Sequence, residues 1–317
     1  MKSLQGKVAV VAGATRGAGR GIACALGEAG ATVYCSGRSV RGNPASGNRP
    51  ETIEETAEMV TARGGIGIHA RTDHTVEQDV RALFDRVKTE QGRLDILVND
   101  IWGGDVLTEF GKAFWQVSLD KGKQMFEQAV MSHIITSHYA TPLIIETGPG
   151  LIVEITDGDS FTYRGNIFYD LVKTSVIRLA FAMARELRSR RITSVAITPG
   201  FLRSEAMLEN FGVTEENWRE GANKHPGFIA SETPLFVGRA VAAVASDTNM
   251  FSKTGRVFSS WDLAGEYGFT DLDGSSPMWS NYYEETYGKR VKKCDEAFYE
   301  YWFDPPDAIE LLFPDWP

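Results

Sequence analysis

Tyr169 and Lys173 lie four residues apart inside an apolar stretch whose spacing predicts a helix. Residues at that separation share one helical face, so the phenol and the ammonium can sit together. An isolated phenol titrates near about 10 and exchanges protons poorly at neutral pH. A neighbouring positive charge favours phenolate and draws that value toward the working range, which makes the pair a candidate general acid and its tuner. Far upstream, Gly13-Ala14-Thr15-Arg16-Gly17-Ala18-Gly19 has a G-x3-G-x-G spacing directly after a strand-like run and ahead of a helical one. Glycines let the backbone turn tightly against a pyrophosphate, whose charge then rests on the free amides of a helix N-terminus. Gly13, Thr15, Arg16, Gly17, Ala18 and Gly19 are therefore the candidate dinucleotide cradle. A proton donor and a dinucleotide cradle in one chain point to hydride transfer to or from a carbonyl.

The end of the second strand decides which dinucleotide fits. An acid there would bind the ribose hydroxyls of NAD. This chain has Ser36-Gly37-Arg38-Ser39, with no acid, and a second arginine, Arg16, in the glycine turn. Two guanidiniums can grip a 2′-phosphate, each charged hydrogen bond contributing roughly 1.5–3 kcal/mol before screening. That biases the expected cofactor toward NADP(H) by about a hundredfold or more. Asp73, just after the third strand, is placed to meet the adenine edge.

These residues need a scaffold, and the apolar runs supply one. Strands are expected at 7–12, 31–36, 65–70, 94–99, 151–156, 193–198 and 255–259. Helices are expected at 17–30, 51–63, 76–91, 121–145, from Tyr169 on to Arg190, and 234–245. Strands alternating with helices imply crossovers, hence a Rossmann-type, doubly wound parallel α/β sheet with helices on both faces. Residues 1–260 read as one catalytic domain, with 200–233 as a substrate loop or lid holding a short polar helix near 214–224. Residues 261–317 form an aromatic-rich extension, an arm or a lid, with Trp279, Tyr282, Tyr283, Tyr287, Phe298, Tyr299, Tyr301, Trp302, Phe303 and Trp316.

Composition narrows the classes. The 317 residues are 43% hydrophobic and 24% charged, as in an ordinary globular protein. No apolar run reaches the roughly 18 residues of a membrane span. A formal net charge of -9 argues against nucleic-acid binding. Cys24, Cys35 and Cys294 have no metal-ligand spacing, and their odd number speaks against a disulfide framework. His133 and His138 are five apart, too far round a helix to share a face, so neither a metal site nor a functional pair is expected there. Met1 to Lys7 runs into the first strand without a signal-peptide core, so the expected location is the cytoplasm.

The glycine turn, Leu97-Val98-Asn99-Asp100, Tyr169-x3-Lys173 and Thr198-Pro199-Gly200 together resemble the short-chain dehydrogenase/reductase superfamily over about residues 7–260. Lys112-Ala113-Phe114-Trp115 and Ser260-Trp261-Asp262-Leu263-Ala264 further resemble the branch of dehydrogenase/reductase member 1-like proteins. The resemblance implies NAD(P)-dependent carbonyl–alcohol interconversion on a small molecule, in a homodimer or homotetramer. It makes Tyr169 the general acid and places Lys173 by the phenol and the nicotinamide ribose. It sets Asn99 beside the cofactor and gives Pro199 and Gly200 the loop that closes on nicotinamide and substrate.

Two departures stand out. The family places a Ser at the end of the fifth strand to hydrogen-bond the substrate oxygen, where this chain reads Thr156-Asp157-Gly158-Asp159-Ser160. Thr156 supplies a hydroxyl at the usual separation and is the first candidate, Asp157 fits the strand end as well, and Ser160 is the third. The family also places an Asn on the long helix, around Glu127 to Val130, to anchor a proton-relay water; here only Glu127 and Gln128 are polar. A carboxylate in place of a neutral hydroxyl repels developing negative charge and attracts a cation, so an imine, an iminium or an amine-bearing ketone is the alternative substrate class. The altered Ser and the missing Asn also admit a third reading, an NADP-binding sensor with little turnover.

Overall fold

The computed structural model describes residues 2–45, 49–288 and 293–294. In chain order the main elements are β1 (Val8–Ala12), α1 (Gly17–Glu28), β2 (Thr32–Gly37), α2 (Ile53–Ala62), β3 (Ile66–Arg71), α3 (Glu77–Gln91) and β4 (Ile96–Asn99). There follow α4 (Leu119–Phe126), a π-helical turn (Glu127–Met131), α5 (Ser132–Thr147), β5 (Leu151–Ile155), α6 (Ile167–Glu186) and β6 (Thr193–Thr198). The series ends with α7 (Glu205–Phe211), α8 (Pro234–Ser246), β7 (Val257–Ser259), α9 (Ser260–Tyr267) and α10 (Trp279–Tyr287).

The seven strands form one sheet in the order β3-β2-β1-β4-β5-β6-β7, and every pairing is parallel. Side chains of a strand alternate between faces, and the cores divide accordingly. Ala9, Val11, Val33, Val98 and Val153 pack under Ile22 and Leu26 of α1 and Val237 and Val241 of α8. Val8, Val10, Tyr34, Leu97 and Ile152 pack under Leu83 and Val87 of α3 and Leu143 and Ile144 of α5. The register sets Ala12 beside both Ser36 and Asn99, and Asn99 beside Glu154. That aligns the carboxyl ends of the strands along one edge. The chain reverses direction across the sheet between β1 and β4, where open α/β sheets bind ligands.

The α1–α8 crossing depends on Gly21. A Cβ there would lie 1.9 Å from the Pro234 carbonyl oxygen, a backbone atom with little room to yield. Gly21→Ala is therefore expected to destabilise the chain by about 3 kcal/mol or more, the upper end of overpacking costs. The urea midpoint, followed by circular dichroism, measures this.

Three elements differ from the sequence expectation. The long helix is interrupted by the π-helical turn at Glu127–Met131, over the segment where the family's Asn was sought. The segment 199–233 contains α7, which its irregular sequence concealed. The third difference is at the C-terminal side, where α9 buries Trp261 and Leu263 in the body, so the chain past residue 260 does not leave the sheet at once. No helix of the described residues is long and apolar enough to cross a membrane.

Candidate active site

Asn166 starts the helix that carries the reactive pair. Its side-chain oxygen caps α6, accepting from the Phe168 and Tyr169 amides at 3.0 and 3.1 Å. Tyr169 thus stands in the first turn, with Lys173 one turn on. The edges of Trp102 and Phe110 flank the Tyr169 ring at 5.5 and 5.8 Å. The Lys173 ammonium lies over Trp102, 4.2 Å from the ring centroid, and 5.7 Å from that of Tyr169.

The residue that meets the phenol is Asp157. Tyr169 Oη donates to Asp157 Oδ2 at 2.6 Å. Thr156, the first candidate for that place, points the other way; its hydroxyl donates to the Lys173 carbonyl at 2.8 Å and ties β5 to α6. Both residues follow the end of β5 and meet α6 one turn apart, Thr156 at the Lys173 backbone and Asp157 at the Tyr169 side chain. Ser160 donates to Thr162 instead, at 3.0 Å. Arg164 grips the turn around them, its Nε on the Asp157 carbonyl at 2.5 Å and its Nη1 on Asp170 at 2.9 Å.

This geometry overturns the expectation that Lys173 makes the phenol more acidic. Burial and then the Asp157 carboxylate hold the Tyr169 phenol well above its ordinary value. Lys173 is itself lowered by burial, against the pull of Asp157, Asp100 and Asp105. Negative charge at the phenol outweighs one ammonium seated on an indole.

Asp100 is a group the sequence reading quoted without giving it a part. Burial pushes its carboxyl up to about 7, opposed by Lys173 and by a hydrogen bond from the Gly19 amide. It therefore joins the glycine turn to the Tyr169–Lys173 pair. An acid directly after Asn99 at the end of a buried strand was the available signal.

Under this layer runs a buried polar chain. Asn99 Nδ2 donates to Ser137 Oγ at 2.9 Å and to Glu154 Oε1 at 2.7 Å. Glu154 Oε2 meets His133 Nδ1 at 2.6 Å, and His133 Nε2 meets the Ile101 carbonyl at 3.0 Å. His133 is thus a buried structural residue, while His138 is exposed and meets Tyr139 edge-on. Of the two polar side chains on the π-helical turn, Glu127 is exposed and Gln128 turns inward with a buried, unpartnered oxygen.

The turn after β1 fits a dinucleotide phosphate. Gly13 has φ +92, and a Cβ there would lie 2.4 Å from the Asp100 carbonyl oxygen. Only glycine lets this backbone approach so closely. At the end of β2, Thr15 packs over Gly37, and no acid is present there. Arg38 is partly exposed, and Asp73 lies 3.8 Å away. Asp73 also accepts from the Thr75 amide at 3.0 Å. Arg16 differs from expectation, since it pairs with Glu51 at 3.2 Å, and Glu51 also holds Arg49 at 2.7 Å.

The segment 199–233 is tied to this turn. Glu205, the first residue of α7, accepts from the Gly17 amide at 2.8 Å, and Arg49 reaches Glu209 at 2.7 Å. The sequence signals for α7 were its Ser204 cap and Gly212 at the far end. Phe211, Trp218 and Phe228 form a small core within the segment 199–233, with Phe201 and Met207 against it. Gly200 donates to buried Glu232 at 2.9 Å. Trp279 of α10 lies against Phe201 at 5.8 Å, so the first part of the aromatic extension packs on that segment. Phe298, Tyr299, Tyr301, Trp302, Phe303 and Trp316 lie outside the described residues.

Comparison with known proteins shows the family of the chain. The sequence profile of the family described as short chain dehydrogenase matches residues 7–212. The chain is similar to Dehydrogenase/reductase SDR family member 1 of Mus musculus, 35% identical over 276 residues, covering 86% of this chain and 85% of that one. The Homo sapiens protein of the same name is 36% identical over 276 residues, with the same coverage of 86% and 85%. A 7alpha-hydroxysteroid dehydrogenase of Clostridium sardiniense is 28% identical, covering 89% of this chain and 99% of its own. Among solved structures, L-sorbose reductase from Gluconobacter frateurii, complexed with NADPH and L-sorbose, has a TM-score of 0.68 at 17% identity, covering 87% of this chain and 98% of that one. That last likeness is one of fold.

Proposed function

Given that the chain belongs to the short-chain dehydrogenase family, we propose that it reduces an aldehyde or ketone with NADPH, Tyr169 giving its proton to the carbonyl oxygen. The bound nicotinamide supplies the hydride. Gly13, Thr15, Gly17, Ala18 and Gly19 would hold its pyrophosphate side, Asp73 the adenine, and Asn99, Lys173, Pro199 and Gly200 the nicotinamide half. The observation that carries the reading is the placement of Tyr169 and Lys173 together on α6, the Lys173 ammonium 5.7 Å from the Tyr169 ring centroid, with Asp100 joining that pair to the glycine turn. Burial and Asp157 hold the phenol well above its ordinary value, so the proton is present for reduction but is released less readily than from an ordinary phenol. Thr156 acts through Lys173, fixing the backbone of that turn of α6.

Support for NADPH comes from Arg38, which stands where an acid would serve NAD, and from the NADPH bound by the similarly folded L-sorbose reductase. Arg16, already paired with Glu51, has the smaller part. Arg38→Ala is expected to lower kcat/KM for NADPH by about ten- to a hundredfold, the loss of one charged hydrogen bond, and to change NADH little. Steady-state kinetics with both cofactors checks this. A cytoplasmic homodimer or homotetramer completes the reading; the exposed Met131 of the π-helical turn and Ile134 and Ile145 of α5 support the oligomer.

The direct test is turnover of a broad carbonyl panel, read as loss of reduced-nicotinamide absorbance. The competing reading is a sensor that binds NADP without fast turnover, favoured by the altered Ser position and the missing Asn. A fluorescence shift on NADPH addition, with no turnover anywhere on the panel, would select it.

A further inference from the structure

Building on the reductase reading, we propose that Asp157 selects substrates carrying a cationic nitrogen, either within the reducible double bond or beside a reducible ketone. In the site described above, Asp157 Oδ2 is the atom 2.6 Å from Tyr169 Oη. A substrate atom that approaches the phenol must approach this carboxylate too. An oxygen gaining negative charge would be repelled there, whereas a positive N–H would find an acceptor in place.

The charges around Asp157 do not cancel it. Arg164 is the nearest guanidinium, but its donors go to the Asp157, Gly158 and Ser160 carbonyls and to the Asp170 carboxylate. Lys173 is the other cation, and it acts at once on Asp157, Asp100 and Asp105 while seated on the Trp102 ring. Asp105 is held toward this group by its hydrogen bond from Trp102 Nε1 at 2.6 Å. The balance facing the phenol is negative. Trp102 and Phe110 present aromatic surface around the same point, and ring faces attract cations.

Both sources of the charge balance chemically. With an iminium, hydride adds to carbon, the π pair moves to nitrogen, and the product amine loses the positive charge that the oxidised nicotinamide gains. With an ammonium ketone, hydride adds to the carbonyl carbon, the oxygen takes the Tyr169 proton, and the ammonium is unchanged.

The test uses full-length enzyme with NADPH and three probes near neutral pH: protonated N-methylpiperidin-4-one, its neutral counterpart 4-methylcyclohexanone, and N-methyl-3,4-dihydroisoquinolinium. The wild type is expected to favour the charged ketone over the neutral one by about ten- to a hundredfold in kcat/KM, the value of one charged hydrogen bond. Asp157→Ser and Asp157→Asn are expected to erase that preference, the charged-to-neutral ratio of kcat/KM falling toward one whatever the absolute rates become. Reduction of the isoquinolinium assigns the charge to the double bond itself; reduction of the charged ketone alone assigns it to a neighbouring ammonium. Calorimetric binding of N-methylpiperidinium against methylcyclohexane-1-carboxamide, with NADP present, gives a readout independent of turnover. Equal use and equal binding of charged and neutral probes, unchanged in both variants, overturns the proposal and leaves the reductase reading intact. Asp157-dependent cation binding without turnover supports the proposal and removes the reductase reading instead.

Discussion

Tyr169→Phe is expected to lower kcat by about 10²–10⁴-fold, the range associated with loss of a positioned general acid, while NADPH binding stays close to that of the parent. The ring keeps its edge contacts with Trp102 and Phe110, so the substitution removes one hydroxyl and little packing. What goes with it is the hydrogen bond to Asp157 and the proton for the product oxygen. Single-turnover kinetics with saturating cofactor and a fluorescence titration of NADPH separate the two effects. Turnover equal to the parent's would end the proposed mechanism. The pH profile carries the same information. Because burial and Asp157 raise the phenol, reduction is expected to hold level through neutral pH, and oxidation of the corresponding alcohol to climb only as alkaline pH removes the proton. Asp157→Asn takes away one of those two causes, so the oxidative limb is expected to move to lower pH.

Glu154→Ala is expected to cost about 2–6 kcal/mol of stability, since it leaves both Asn99 and His133 buried without this partner, at about 1–3 kcal/mol for each unsatisfied group. Glu154 is fully buried on β5, with one oxygen on Asn99 and the other on His133. His133 Nε2 faces the Ile101 carbonyl, so both ring nitrogens meet acceptors. The group needs two ring protons or a protonated Glu154, and alanine supplies neither partner. Glu154→Gln retains an acceptor for Asn99 and is expected to cost less. Pairing Glu154→Leu with His133→Phe is expected to regain part of the loss, since apolar residues of similar volume replace buried ion pairs well. Urea unfolding of the four proteins measures the series. A loss below about 1 kcal/mol for the alanine variant, the net worth of one ordinary hydrogen bond, would show that this chain is not what holds the strand ends together.

Much of the molecule was legible locally. Helix and strand periodicity, the glycine turn, the missing acid after β2 and the four-residue spacing of Tyr169 and Lys173 are all short-range patterns. Helical pitch fixes that last pairing, whatever else the chain does. The α7 helix was legible in principle, since Ser204 and Gly212 bracket it, but its seven residues are too few for periodicity to rise above a polar loop.

The choice among Thr156, Asp157 and Ser160 could not be made that way. All three lie within five residues, and only the packing of α6 on β5 turns Thr156 toward the Lys173 carbonyl and leaves Asp157 at the phenol. The strength with which the phenol holds its proton depends on that choice, because Asp157 adds to the effect of burial. Arg16 likewise read as a phosphate ligand until the fold brought Glu51, 35 positions away, against it. By itself the sequence determined the sheet, the cradle and the reactive pair, because each rests on backbone geometry repeated over a few residues. Tertiary structure alone decided which charges face that pair, because electrostatic neighbours are chosen by distance in space, and residues remote along the chain become close only when the helices pack onto the sheet.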